Sequence, residues 1–147
     1  MKKTLFFVLI CIFLALCLND SQKTPQVTVT RQEQLSGEVV DQIIVVHFHR
    51  VHQCTCCINV GKWAEETIVL YFPEEYEEGK IVYMDVCIEE NQEMARKYNA
   101  YGASLYINVI KDGGDNILDA VEVWSHCFDH DKFVDVFRQL LEDALEG

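Results

Sequence analysis

Basic residues are scarce in this chain: 12 lysines and arginines stand against 24 aspartates and glutamates, a formal net charge of −12. No basic stripe runs along any part of it, which excludes a nucleic-acid reader, and a surface of this sign is repelled by anionic lipid head groups. The apolar run at the N-terminus, Thr4 to Leu18, falls short of the ~20 residues that a full membrane span needs. Proline occurs only twice, at Pro25 and Pro73, each at a break between regular segments. There is no internal repeat and no low-complexity tract. The acidic stretch Lys111-Asp112-Gly113-Gly114-Asp115-Asn116 lacks the twelve-residue calcium-loop pattern and reads as a hairpin turn. The pairs Glu65-Glu66, Glu74-Glu75, Glu77-Glu78 and Glu89-Glu90 have no spacing that marks an acid/base site and read as solvated faces.

What is present is one domain's worth of chain: 147 residues, 50% of them hydrophobic, enough for one core. Met1-Lys2-Lys3 followed by the apolar run reads as an export signal or N-terminal anchor over residues 1–18. Leu14-Ala15-Leu16-Cys17 is similar to a lipoprotein processing site, although Leu16 stands where a small residue is usual, so lipidation at Cys17, ordinary cleavage and an uncleaved anchor all stay open. Residues 19–38 read as a linker, with a low-grade edge strand over Gln26–Thr30 and a loop or short helix over Arg31–Glu38, and residues 39–147 as the folded domain.

Within that domain, apolar β-branched runs predict strands over Gln42–His49, Lys80–Cys87, Ser104–Ile110 and Ile117–Trp124. A helix is expected over Cys54–Tyr71, with Cys57, Val60, Ala64, Ile68 and Tyr71 as its buried stripe. A short helix follows Asn91, and a terminal helix capped by Asp129 buries Phe133, Val136, Phe137, Leu140, Leu141 and Ala144. The order β-α-β-α-β-β-α implies a mixed sheet flanked by helices, with the first two strands parallel and the last two a hairpin.

Seven cysteines is a high count. Cys54 and Cys57 form a C-x-x-C at the mouth of the first helix, where backbone N–H groups and the helix dipole favour a thiolate. Cys54, Cys56 and Cys57 with His49 and His52 also make a dense set of soft-metal ligand types, suited to Cu(I) or Zn(II).

Strand, C-x-x-C at a helix start, β-α, hairpin and terminal helix together resemble the thioredoxin-like superfamily from about Gln42 to the C-terminus. Ala103-Ser104-Leu105, Lys111-Asp112-Gly113 and Val123-Trp124 resemble more narrowly a group of small exported thioredoxin-like proteins, often labelled ArsF-type. The resemblance implies a thiol–disulfide oxidoreductase that needs no cofactor, acting on protein thiols or disulfides or with a redox partner protein. Cys54 would be its nucleophile and Cys57 its resolving thiol. It places His47 where the family's strand carries a buried acid, so that His47 is expected to exchange the resolving proton.

Three departures stand out. Ser104 replaces the family's cis-proline, so a trans Ala103–Ser104 bond is expected. One residue is inserted before Cys54, with no tryptophan in front of it. Cys56 adds a thiol inside the motif; a Cys56–Cys57 bridge would be strained, which leaves Cys54–Cys57 as the expected oxidised pair. Cys87, at the end of the second strand, is either a core residue or half of a Cys87–Cys127 structural disulfide. With His126 and His130, these groups are expected near one edge of the sheet. Three readings follow from different classes: an exported, membrane-tethered oxidoreductase, a soft-metal module working without turnover, or a redox-inert accessory domain with only structural disulfides.

Overall fold

The run Gln42–His49 (β1) lies inside a mixed sheet because its side chains are apolar on both faces, and a strand of that kind is stable only when covered twice. The computed structural model describes residues 39–147. The export signal or anchor, the lipidation site, the linker and the edge strand over Gln26–Thr30 lie outside the described residues.

After β1 come α1 (Thr55–Tyr71), α2 (Pro73–Glu77), β2 (Ile81–Cys87), α3 (Gln92–Lys97), β3 (Ser104–Lys111), β4 (Gly114–Asp119), a 3-10 helix over Val121–His126, and α4 (His130–Glu146). Among the described residues the sheet has four strands in the order β2-β1-β3-β4. β1 and β2 are parallel, as a helical crossover requires, whereas β1–β3 and β3–β4 are antiparallel. Asp112 (φ 51°) and Gly113 (φ 73°) make the two-residue hairpin turn, whose right-handed twist needs positive φ at both positions.

Two cores flank the sheet. On one face Val60, Ala64 and Ile68 of α1 and Phe133, Phe137 and Leu141 of α4 pack with Ile43, Val45 and Leu105. On the other, Ala95 of α3 and Tyr98 cover Val46, Phe48 and Val86. Asn91 accepts from the Met94 N–H and Asp129 from the Lys132 N–H, so each named cap closes its helix.

Four expectations need correction. The fourth strand ends at Asp119 rather than Trp124: its ladder with β3 stops at Tyr106↔Asp119, and the chain then coils so that Val123 fills the core. Pro73 does break α1, but it also starts α2, since a proline at the first helical position gives up an N–H that would be unpaired anyway. Tyr71 is exposed at the end of its stripe, with the Arg138 guanidinium over its ring. On α4, Val136 and Leu140 are only half-buried, and Val134 takes a buried place.

Candidate functional site

The first turn of α1 sets the site. Cys54 is the N-cap residue in extended backbone (φ −81°, ψ 164°), and its carbonyl accepts the first helical bond, from the Ile58 N–H at 3.1 Å. Its thiol is free and exposed. Cys57, three residues on, turns inward with the apolar stripe and is free but buried.

Beneath Cys57 lies His47, 1% exposed in the middle of β1. Its Nε2 is 3.5 Å from the Cys57 Sγ, and its Nδ1 is 2.7 Å from Oδ1 of Asp85. His47 and Asp85 are Cα partners in the parallel β1–β2 register, which is why the two side chains meet. A carboxylate only accepts, so a neutral imidazole here donates from Nδ1 and turns the lone pair of Nε2 to the Cys57 thiol.

The helix makes room for that ring with a glycine. A Cβ built on Gly61 would sit 2.5 Å from His47 Nδ1, and no side chain fits there. Tyr83 donates to the Gly61 carbonyl at 2.9 Å, holding this turn of α1 against β2. A cleft of about 470 Å³ opens beside the pair, lined by His47, Asp85, Tyr83, Gly61, Lys62 and Glu65 among others.

Burial sets the protonation of the inner pair. Desolvation, with the nearby Cys54 sulfur and the Asp85 carboxylate, pushes the Cys57 thiol up to about 11. Desolvation also holds His47 below the usual imidazole range, against the opposing pull of Asp85. At neutral pH the resting pair is therefore thiol and neutral imidazole, an S–H facing a base. Burial likewise pushes the Tyr83 phenol up, with Asp85 adding to the effect.

The remaining cysteines pair differently from the expectation. Cys56 is bonded to Cys127 across a Cα–Cα distance of 5.1 Å, and Asn59 Nδ2 donates to the Cys127 carbonyl at 2.8 Å. The Cys87–Cys127 disulfide is thereby overturned. Cys87 ends β2 on one flank of the sheet, whereas the segment after β4 carries Cys127 over to the start of α1. Cys87 stays free, with its thiol 3.4 Å from Glu89 Oε2.

The expected metal set of Cys54, Cys56, Cys57, His49 and His52 does not assemble. The Cys56 sulfur is taken by the disulfide, and His52 is exposed in the loop. His49 Nδ1 contacts the Arg50 carbonyl and Gln53, and its Nε2 lies 3.6 Å from Asp85 Oδ2. Among the described residues, no three His, Cys, Asp or Glu side chains converge so as to hold a metal ion. His130 also lies elsewhere, stacked edge-on against Trp63 and 3.5 Å from Glu66.

Sequence reasoning missed Asp85, Gly61 and the Cys56–Cys127 bond. Asp85 was legible in principle, because a parallel pair whose ends coincide sets it beside His47. Gly61 stands one turn after Cys57 inside the buried stripe, where only a close neighbour explains the lack of a side chain. The Ala103–Ser104 bond is trans, as expected for a residue other than proline.

No protein-family model matches the chain, and no curated protein does. Among solved structures it is similar to a chain described as "Structure of a malarial protein", at 16% identity over 67% of this chain and 96% of that one, with a TM-score of 0.41.

Proposed function

We propose that this chain is a thioredoxin-like thiol–disulfide oxidoreductase that works through Cys54 and Cys57. One observation carries the reading. An exposed thiol at the N-cap of α1 stands one turn ahead of a buried thiol whose proton faces the Nε2 of His47 at 3.5 Å. A structural cysteine pair needs no base, but a resolving thiol held up to about 11 does. The element order, with β1 and β2 parallel across α1 and the β3–β4 hairpin antiparallel, supports the thioredoxin-like reading.

In the proposed cycle the Cys54 thiolate attacks one sulfur of a partner disulfide. That S–S bond breaks, the departing sulfur leaves as a thiolate, and Cys54 holds the other as a mixed disulfide. His47 Nε2 takes the Cys57 proton, and the Cys57 sulfur attacks Cys54 Sγ. The mixed bond breaks and the second partner sulfur leaves with its electron pair. Two electrons have then passed to the partner, and the chain holds a Cys54–Cys57 disulfide that a partner dithiol would reduce. The Cys56–Cys127 bond stays outside the cycle and suits the oxidising side of a membrane, in keeping with export and tethering through residues 1–18.

The test is trapping. Cys54→Ser should abolish reduction of a model disulfide, and Cys57→Ser should accumulate a mixed disulfide on Cys54 with any disulfide substrate. Activity that survives Cys54→Ser would end the proposal.

A further inference from the structure

The exchange just proposed leaves one question to the protein: what makes His47 a base rather than a packed core histidine. We infer that Asp85 and Gly61 are positioning residues for the resolving step, and that they act by fixing the tautomer and the seat of His47. This inference rests on the oxidoreductase reading and goes further by dividing the work among residues that touch neither partner nor sulfur.

Two independent observations carry it. Asp85 Oδ1 lies 2.7 Å from Nδ1, which puts the ring proton on the side away from Cys57 and leaves the lone pair of Nε2 toward the thiol. Gly61 removes the Cβ that would otherwise lie 2.5 Å from the same Nδ1, so the ring can sit close against α1. Together they hold the imidazole between Asp85 and the Cys57 thiol.

The groups facing His47 are His49 beside it on β1, Asp85 on β2 and Cys57 on α1; Tyr83, Lys62 and Glu65 stand on the cleft wall. When Cys57 gives its proton to Nε2, the imidazolium is compensated by Asp85, and solvent reaches the pair through the cleft.

The electrostatic role of Asp85 and its positioning role predict opposite signs. Its charge helps to hold the Cys57 thiol up, so charge removal alone would ease ionisation of Cys57 and speed resolution. Loss of positioning would slow it, because an asparagine amide can donate to Nδ1 and favour the wrong tautomer.

The experiment is a rapid acid-quench time course on the full chain with 5,5′-dithiobis(2-nitrobenzoate). Peptide mass mapping separates the mixed disulfide on Cys54 from the Cys54–Cys57 product. Asp85→Asn should leave the first step unchanged and slow the second at pH 7 by about tenfold or more, as expected for a misaligned general base. Its rate should then climb with pH toward the ionisation of Cys57 itself, which the loss of the Asp85 charge eases, whereas the wild-type rate should stay level through neutral pH. Gly61→Ala should act in the same direction. In parallel, ¹⁵N imidazole spectra of the unmutated protein should show His47 protonated on Nδ1 and bare on Nε2, a readout that needs no variant to fold. Resolution in Asp85→Asn as fast as wild type or faster, or the Nε2–H tautomer, overturns the inference and leaves the oxidoreductase reading intact. A wild-type chain that forms no mixed disulfide on Cys54 overturns both.

Discussion

Cys56 is bonded to Cys127, and this bond joins the first turn of α1 to the segment that leads into α4. It decides which thiols of the crowded motif stay free: Cys54 facing solvent and Cys57 facing His47. It also separates the chemistry of the motif from its architecture, and the two can be tested apart.

The bond closes a loop between positions 71 residues apart. In the chain-entropy picture a loop of that size stabilises the fold by about 4 kcal/mol, with measured values for native bridges usually about 2–5. The pair Cys56→Ala/Cys127→Ala should therefore lower unfolding free energy by about 2–4 kcal/mol in urea titration while keeping the exchange reaction. An unchanged midpoint would mean that the bond constrains nothing.

Thiol labelling should divide the free cysteines by position. Iodoacetamide should modify Cys54 quickly in the native protein and leave Cys57 unmodified until denaturant is added, since Cys57 is 2% exposed and its thiol is held up to about 11. Equal rates at the two sites, measured by peptide mass mapping, would contradict the buried setting of Cys57.

Both inner groups tie stability to pH, at opposite ends of the scale. The Cys57 thiol is raised on folding from 9.0 to about 11, so its contribution is complete below pH 9.0 and is lost as pH rises toward 11. Two pH units correspond to about 2–3 kcal/mol. His47 is held below 6.5 on folding, so its contribution is present above pH 6.5 and is lost as pH falls through the lowered value. Urea titrations of wild type against Cys57→Ala above pH 9, and against His47→Phe below pH 6.5, should show these differences narrowing. Parallel curves across either window would contradict the assignment.

Much of this was legible from periodicity. Strands, crossover and terminal helix follow from where apolar residues recur, and Asn91, Asp129 and Asp112-Gly113 announce their caps and turn because each supplies a local bond or dihedral. Residues whose meaning is long-range were not legible. Val121-Glu122-Val123-Trp124 has the composition of a strand, but among the described residues no strand pairs with it, and packing of Val123 decides its shape. The Cys56–Cys127 pairing depends on how a loop after the sheet's far strand returns to α1, which spacing along the chain does not encode. His47 was placed by resemblance alone; its partner Asp85 and its seat at Gly61 required the register and the packing.

The most direct test of the central claim is a redox titration of the full chain in dithiothreitol buffers, quenched with acid and read by peptide mass mapping. A Cys54–Cys57 disulfide should appear and disappear reversibly as a two-electron couple, while Cys56 and Cys127 stay joined across the same range. Failure to find a Cys54–Cys57 bond at any potential, or titration of Cys56–Cys127 in its place, would contradict it.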